Sequence, residues 1–219
     1  AHRYGGIWQG DNKSWWSHIL MSMSQLPGLN MAGFLYTGPD VGGFGCDTTE
    51  DLMIRWLQYS LFTPLFRNHS CDGTRMQELY RFSTKAIMGE MIKIRYALIP
   101  YLYSEFLKAR ENDEMMFRPL AFDYDDEDAR QVDDQLLLGG EVMIAPIYKQ
   151  NAKGRYVYLP EEMMCVRMRG WNDFECATFE KGHHYISADL HEMFFFIRKK
   201  HNHAVTSRSH TCVRRSTAS

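Results

Sequence analysis

The chain has 219 residues, of which 45% are apolar and 14% aromatic. That is enough to bury the core of an ordinary domain and excludes global disorder. Twenty-five basic against 27 acidic residues leave a net charge of −2, without the basic excess of a nucleic-acid binder, and no apolar run reaches the ~18 residues of a membrane span.

The first twelve residues read as a loop. They open Ala-His-Arg-Tyr-Gly-Gly, with no leading Met and no basic-then-apolar signal segment, as though the chain starts in the middle of a longer protein. Asp11-Asn12 can turn the chain and cap a helix behind it. Trp16, Ile19, Leu20 and Met23 recur at helical spacing over residues 14–26, and Pro27-Gly28 should stop that helix. Residues 31–36 form a short apolar run of buried-strand type that leads into a glycine-rich loop, 37–44. Thr48-Thr49-Glu50-Asp51 has capping-box spacing, with Leu52, Trp56 and Tyr59 on one helical face behind it. Residues 62–66 read as a brief strand delivering Arg67-Asn68-His69. A long helical stretch covers 76–109 with a break near Pro100, and 116–122 is another short strand. Short apolar strands between amphipathic helices predict parallel pairing with the helices outside. Three such strands with no matching set upstream predict an open sheet.

After Gly139-Gly140 the pattern changes. Strand-like runs at 142–146, 155–159, 163–168, 171–179 and 193–197 are joined by turns, which is antiparallel all-β patterning, a sheet or sandwich. From Arg198 onward six basic residues and no acids leave 19 basic against 27 acidic residues before it, or −8. This Ser/Thr-rich tail reads as a solvated, disordered end rather than a nucleic-acid arm.

Polar and aromatic side chains recur just after each expected strand: Trp8 and Asp11, then Asp40 and Phe44, then Arg67 and His69. In α/β barrels the loops after the strands form the working face, and aromatic surfaces beside carboxylates suit sugars. Each residue also has a plainer explanation. Asp11 could cap the helix at 14–26, Asp40 could stabilise a turn, and His69 could be a satisfied core histidine. Their joint placement favours a site.

The ordered set Gly5-Gly6-Ile7-Trp8-Gln9-Gly10-Asp11-Asn12, Gly38-Pro39-Asp40-Val41-Gly42-Gly43-Phe44, Arg55-Trp56, Phe66-Arg67-Asn68-His69, Arg95-Tyr96 with Pro100-Tyr101-Leu102-Tyr103, and Arg118-Pro119-Leu120 resembles glycoside hydrolase family 31, over about residues 2–198. Ala145-Pro146 and Val157-Tyr158-Leu159-Pro160 resemble the β-domain that follows the family's barrel. The resemblance implies an α/β plus all-β fold: the last strands of an incomplete (β/α)8 TIM barrel over 1–138, an antiparallel β-sandwich-type domain over 139–198, and the basic tail at 199–219. It implies a retaining α-glycosidase with Asp11 as general acid/base. Trp8 and Phe44 would line the pocket of the terminal sugar, Asp40 and His69 would bond its hydroxyls, and Arg67 would join them. The substrate would be an α-glucoside oligosaccharide, with no cofactor, no metal, no nucleic acid and no membrane. The resemblance to bacterial intracellular α-glucosidases implies a cytoplasmic location, which agrees with the cysteines.

Those five cysteines, at 46, 71, 165, 176 and 212, form no C-x-x-C pair, zinc spacing or disulfide framework, a pattern of free thiols in a reducing compartment.

A retaining mechanism needs a second carboxylate, about 5–5.5 Å from the first. The family's W-x-D-M-N-E nucleophile motif is absent here, its substrate-binding Arg would precede Ala1, and the run into Lys200-His201-Asn202-His203 departs from the family's glycine and apolar strand. The chain therefore reads as a piece of the enzyme, inactive by itself, whose uncovered sheet edge invites pairing with another chain, a homo-oligomer included. The alternative is a non-catalytic carbohydrate-binding or interaction module. The 14 methionines read as core filling. His183-His184 and His201-x-His203 lack a recognised third metal ligand. The acidic run at 123–128 lacks EF-hand spacing and reads as a solvated loop and helix start.

Overall fold

The computed structural model describes residues 4–199. Its first half repeats a strand–helix unit with very short strands. β1 (Ile7–Trp8) pairs parallel with β2 (Thr37–Gly38), and a parallel bridge between Asp40 and Arg67 adds the third position of this open sheet. Helix α1 (Trp16–Met31) connects β1 to β2, and α2 (Glu50–Ser60) connects β2 to Arg67. The long α3 (Lys85–Asn112) follows. Every residue of α2 from Leu52 to Ser60 is buried.

The second half is antiparallel. β3 (Phe117–Pro119), β4 (Leu136–Leu138), β5 (Val142–Ile144), β7 (Met163–Gly170), β8 (Asp173–Phe179) and β10 (Met193–Arg198) form one sheet in the order β3-β4-β5-β10-β7-β8. β6 (Gly154–Leu159) and β9 (Gly182–Ser187) form a separate ribbon, and the short α4 (Glu127–Gln131) lies between β3 and β4. Alternation along β10 shows how the layers pack. Phe195 and Ile197 join a core shared with α1, α2 and α3, whereas Phe194 and Phe196 join a second core with Val157, Leu159 and Ile186 of the ribbon. A strand covered on both faces must be apolar throughout, which is why residues 193–197 read as a continuous run that ends at Arg198.

Several sequence expectations are corrected. Pro27 does not stop α1. It lies buried inside the helix, which continues to Met31 and closes where Gly33 takes φ +84°. Residues 31–36 are thus a helix end and a loop, with Met31 and Tyr36 exposed, rather than a strand. The capping box at Thr48–Asp51 does not form: the Thr49 hydroxyl turns to the Asp51 carboxylate, and Glu50 accepts from the Thr84 N–H (2.9 Å) and the Ser83 hydroxyl at the start of α3. Residues 62–66 are irregular, and the Arg95 guanidinium meets carbonyls of this stretch and of Leu61 before it, donating to Leu61 O (2.6 Å), Thr63 O (2.7 Å) and Pro64 O (3.0 Å). Pro100 lies inside an unbroken α3. The strand expected at 116–122 is β3 followed by a helical turn, and it pairs antiparallel with β4 instead of joining the parallel strands. The ribbon strand β9 and the strand β4 lie between the runs singled out in the sequence. The tail from residue 200, with Cys212, lies outside the described residues.

Two buried ties bind the halves. Glu105 of α3 accepts from the Gly140 N–H (3.1 Å), while Tyr101 donates to Leu138 O (2.7 Å), so α3 holds the β4–β5 hairpin. Gly139 turns that hairpin at φ +60°, and a Cβ there would lie 2.1 Å from the Glu105 carboxylate. Arg55 of α2, 2% exposed, donates to Glu192 O (3.0 Å), Ala188 O (3.2 Å), Ala152 O (3.4 Å) and Gln58 Oε1 (2.9 Å). Burial pulls its pKa down to about 10, so it stays charged at neutral pH. Arg55→Met should therefore strand these acceptors and lower the unfolding free energy by about 2–4 kcal/mol. Urea denaturation followed by tryptophan fluorescence measures it, and a loss within experimental error would show that the tie contributes nothing.

Candidate active site

The site forms where the ends of the parallel strands turn into loops. After β1, Gly10 takes φ +84° and the Asn12 N–H bonds to Gly10 O (2.9 Å), which leaves Asp11 exposed at the tip of the turn. Trp8, at the end of β1, is 47% exposed. Asp11 does not cap α1. The residue before that helix is Trp15, which offers no side-chain cap.

Asn12 takes a different part. Its amide donates to Asp40 O (3.0 Å), its side-chain oxygen accepts from the Phe44 N–H (2.9 Å), and its backbone oxygen accepts from the N–H groups of Phe44 and Gly45. The loop after β1 is thereby clasped to the loop after β2. The clasp needs glycine at position 43, where φ is +98° and a Cβ would sit 2.4 Å from Ser14 N.

Asp40 is fully buried. Its Oδ1 accepts from Arg67 Nε at 2.6 Å, and its Oδ2 has no hydrogen-bond partner among the described residues. A buried carboxylate needs a countercharge, and Arg67 supplies it from the third strand end. The same guanidinium lies 6.0 Å from the Trp8 ring centroid, within cation–π range. His69, two residues on, places its ring 5.3 Å from Phe44 at a 31° tilt. Of the six sequence-derived site residues, Trp8, Asp40 and Arg67 form one contact group and Phe44 and His69 a second, the two are joined through Asn12, and Asp11 stands beside that clasp. The arrangement offers an exposed carboxylate, aromatic surface, and a buried carboxylate paired with an arginine.

Sequence reasoning missed two supports. Buried Gln77 donates from its side-chain nitrogen to Gly43 O (3.1 Å) and Asn68 Oδ1 (2.9 Å), while Asn68 donates to Gln77 O (2.6 Å). Gln77 therefore ties the second loop to the third, and nothing in its sequence surroundings marks it. Asn12 lies within a quoted motif, but its spacing does not disclose the clasp. Away from these loops, His183 faces Asp128 at 3.4 Å and His184 bonds to Glu180 O at 2.8 Å. Among the described residues no group of three His, Cys, Asp or Glu side chains could hold a metal ion, and no helix is long and apolar enough to cross a membrane. Cys46, Cys71, Cys165 and Cys176 form no disulfide among the described residues.

Comparison with known proteins gives concordant results. The profile of the glycosyl hydrolases family 31 TIM-barrel domain matches residues 1–105, and that of the glycosyl hydrolase family 31 C-terminal domain matches residues 113–201. Alpha-glucosidase 2 of Bacillus thermoamyloliquefaciens is 39% identical over 202 residues, covering 90% of this chain and 25% of the relative. Among solved structures, the glucosidase II alpha subunit superposes with a TM-score of 0.80 at 24% identity, over 89% of this chain and 21% of that one. The alpha-1,4-glucan lyase of Gracilariopsis lemaneiformis, solved as a covalent intermediate complex, superposes with a TM-score of 0.81 at 25% identity, over 89% of this chain and 22% of that one. The chain thus spans a quarter or less of the length of these relatives.

The clasp is testable. Asn12→Ala removes both side-chain bonds, and the structure should lose about 1–3 kcal/mol, with faster hydrogen exchange at the Phe44 and Gly45 amides. Unchanged exchange there would mean that the two loops are held by other contacts.

Proposed function

Because the chain belongs to glycoside hydrolase family 31, we propose that it carries the acid/base side of a retaining α-glycosidase site acting on terminal α-linked glucose of short oligosaccharides. The observation that carries this reading is the convergence of three successive strand-end loops on one place, with Asp11 exposed beside the clasp that joins two of them.

In this reading Asp11 protonates the departing glycosidic oxygen as the bond to the anomeric carbon breaks. It then removes a proton from the water that hydrolyses the glycosyl-enzyme intermediate. Trp8 and Phe44 pack on the C–H faces of the terminal sugar. Asp40 and His69 bond its hydroxyls, and Arg67 fixes Asp40 and balances its charge. Oδ2 of Asp40 is buried without a hydrogen-bond partner among the described residues, so it keeps acceptor capacity that a sugar hydroxyl would use. The nucleophilic carboxylate is supplied by polypeptide other than these 219 residues, and the chain alone turns over no substrate. The names of the curated relatives support a glucoside as substrate.

A chimera tests this. Residues 4–199 replace the matching quarter of the Bacillus α-glucosidase, which retains its own upstream segment. The expected result is release of p-nitrophenol and glucose from an aryl α-glucoside. Asp11→Asn should lower kcat by roughly 10²–10⁴-fold. Azide should partly restore turnover by attacking the intermediate without needing a base, and should yield an α-glucosyl azide. Turnover unaffected by Asp11→Asn sinks the assignment. Sugar binding without turnover in a well-folded chimera favours a carbohydrate-binding module.

A further inference from the structure

The ribbon of β6 and β9, remote in sequence from the candidate active site, carries features that core packing does not explain. Tyr156 and Tyr185 stand directly opposite each other in the ribbon register. They are 74% and 51% exposed, yet their rings meet edge to face with centroids 5.1 Å apart. Single exposed aromatics are ordinary. An exposed pair in mutual ring contact beside a recess is a different feature.

That recess, about 260 Å³, is lined by both tyrosines with Asp134, Tyr148, Lys149 and Arg155 among others. Its floor is a closed polar network. Arg155 pairs with Asp134 at 2.6 Å and donates to Pro146 O (2.8 Å) and Asp134 O (3.0 Å). Tyr148 donates its hydroxyl to Asp134 Oδ2 at 2.7 Å, and both the Arg155 guanidinium and the Lys149 ammonium lie within 6 Å of the Tyr148 ring. The Asp134–Arg155 pair is neutral, Lys149 adds one cation, and the network still offers acceptor lone pairs on Asp134 and N–H donors on Lys149.

We propose that this recess is a second carbohydrate-binding site, which takes a pyranose unit of an oligosaccharide or glucan chain. Three features point to that ligand class. The two tyrosines present aromatic surface with hydroxyl rims, which suits the alternating C–H and O–H faces of a pyranose. The Asp134–Arg155–Tyr148 network, itself neutral, gives hydroxyls a fixed set of partners, and Lys149 adds N–H donors beside it. The volume lies just below the roughly 300–1,000 Å³ of sites for drug-sized ligands, in keeping with a single sugar ring. The site involves no bond making, and the proposal does not depend on the role of Asp11.

Affinity electrophoresis of the 219-residue chain through native gels containing soluble starch, β-glucan or mannan tests it, with calorimetric titration of maltoheptaose as a second readout. Retardation by at least one polysaccharide is expected, and the arm that retards identifies the sugar. The double substitution Tyr156→Ala, Tyr185→Ala should weaken binding at least tenfold, whereas Tyr156→Phe, Tyr185→Phe should keep most of it. Both positions are exposed, so the fold should tolerate either pair, and circular dichroism checks this. The part of the retardation that the alanine pair removes should survive in Trp8→Ala, which separates this site from the candidate active site. No retardation by any of the three polysaccharides overturns the proposal. Retardation insensitive to the alanine pair but lost in Trp8→Ala also overturns it.

Discussion

A carboxylate buried at the end of a strand has to be neutralised by a neighbour, and here that neighbour is Arg67. Asp40 and Arg67 meet twice, as a parallel backbone bridge and as a side-chain pair at 2.6 Å. The parallel strands are only two residues long or shorter, so backbone pairing alone fixes little. The ion pair, the Asn12 clasp and the Gln77 crosslink supply the rest. Each is a polar contact between successive loops, and together they set where Trp8, Phe44 and His69 stand. The site is held by the same interactions that hold the sheet.

The parts of the fold that could be read from sequence are those where local pattern and tertiary demand agree. The antiparallel strands β5, β6, β7, β8 and β10 were legible because turns separate runs of alternating or wholly apolar residues. The candidate site was legible because its residues cluster immediately after strand positions, inside glycine-rich motifs. What escaped the sequence was decided by distant contacts. Pro27 reads as a stop, but the surrounding core buries the turn that contains it and lets α1 run on. The capping-box residue Glu50 serves a different helix because Thr84 and Ser83 come within reach only in the folded chain. β3 looks like another α/β strand, yet its edge is taken by β4, about twenty residues later in sequence. Gln77 bridges two loops from residues that read as the start of the long helix, whereas α3 begins only at Lys85 and Gln77 lies in irregular chain before it.

The antiparallel sheet is more than an appendage to the helical half. One face of it completes the core of α1, α2 and α3, and the other face is closed by the β6–β9 ribbon. The matches of the two family profiles to successive segments therefore mark homology units in the sequence, whereas the packing joins them across a continuous interior. The ribbon is the outermost layer, which leaves its tyrosine pair facing solvent.

The guanidinium of Arg55 gives that junction a further meaning. A cation rooted in a helix of one half borrows three backbone oxygens from loops of the other. Exchange of the sheet module between relatives would succeed only where the incoming loops present carbonyls at the same three points. The seam is thus a lock cut for one key, and the two modules must diversify together.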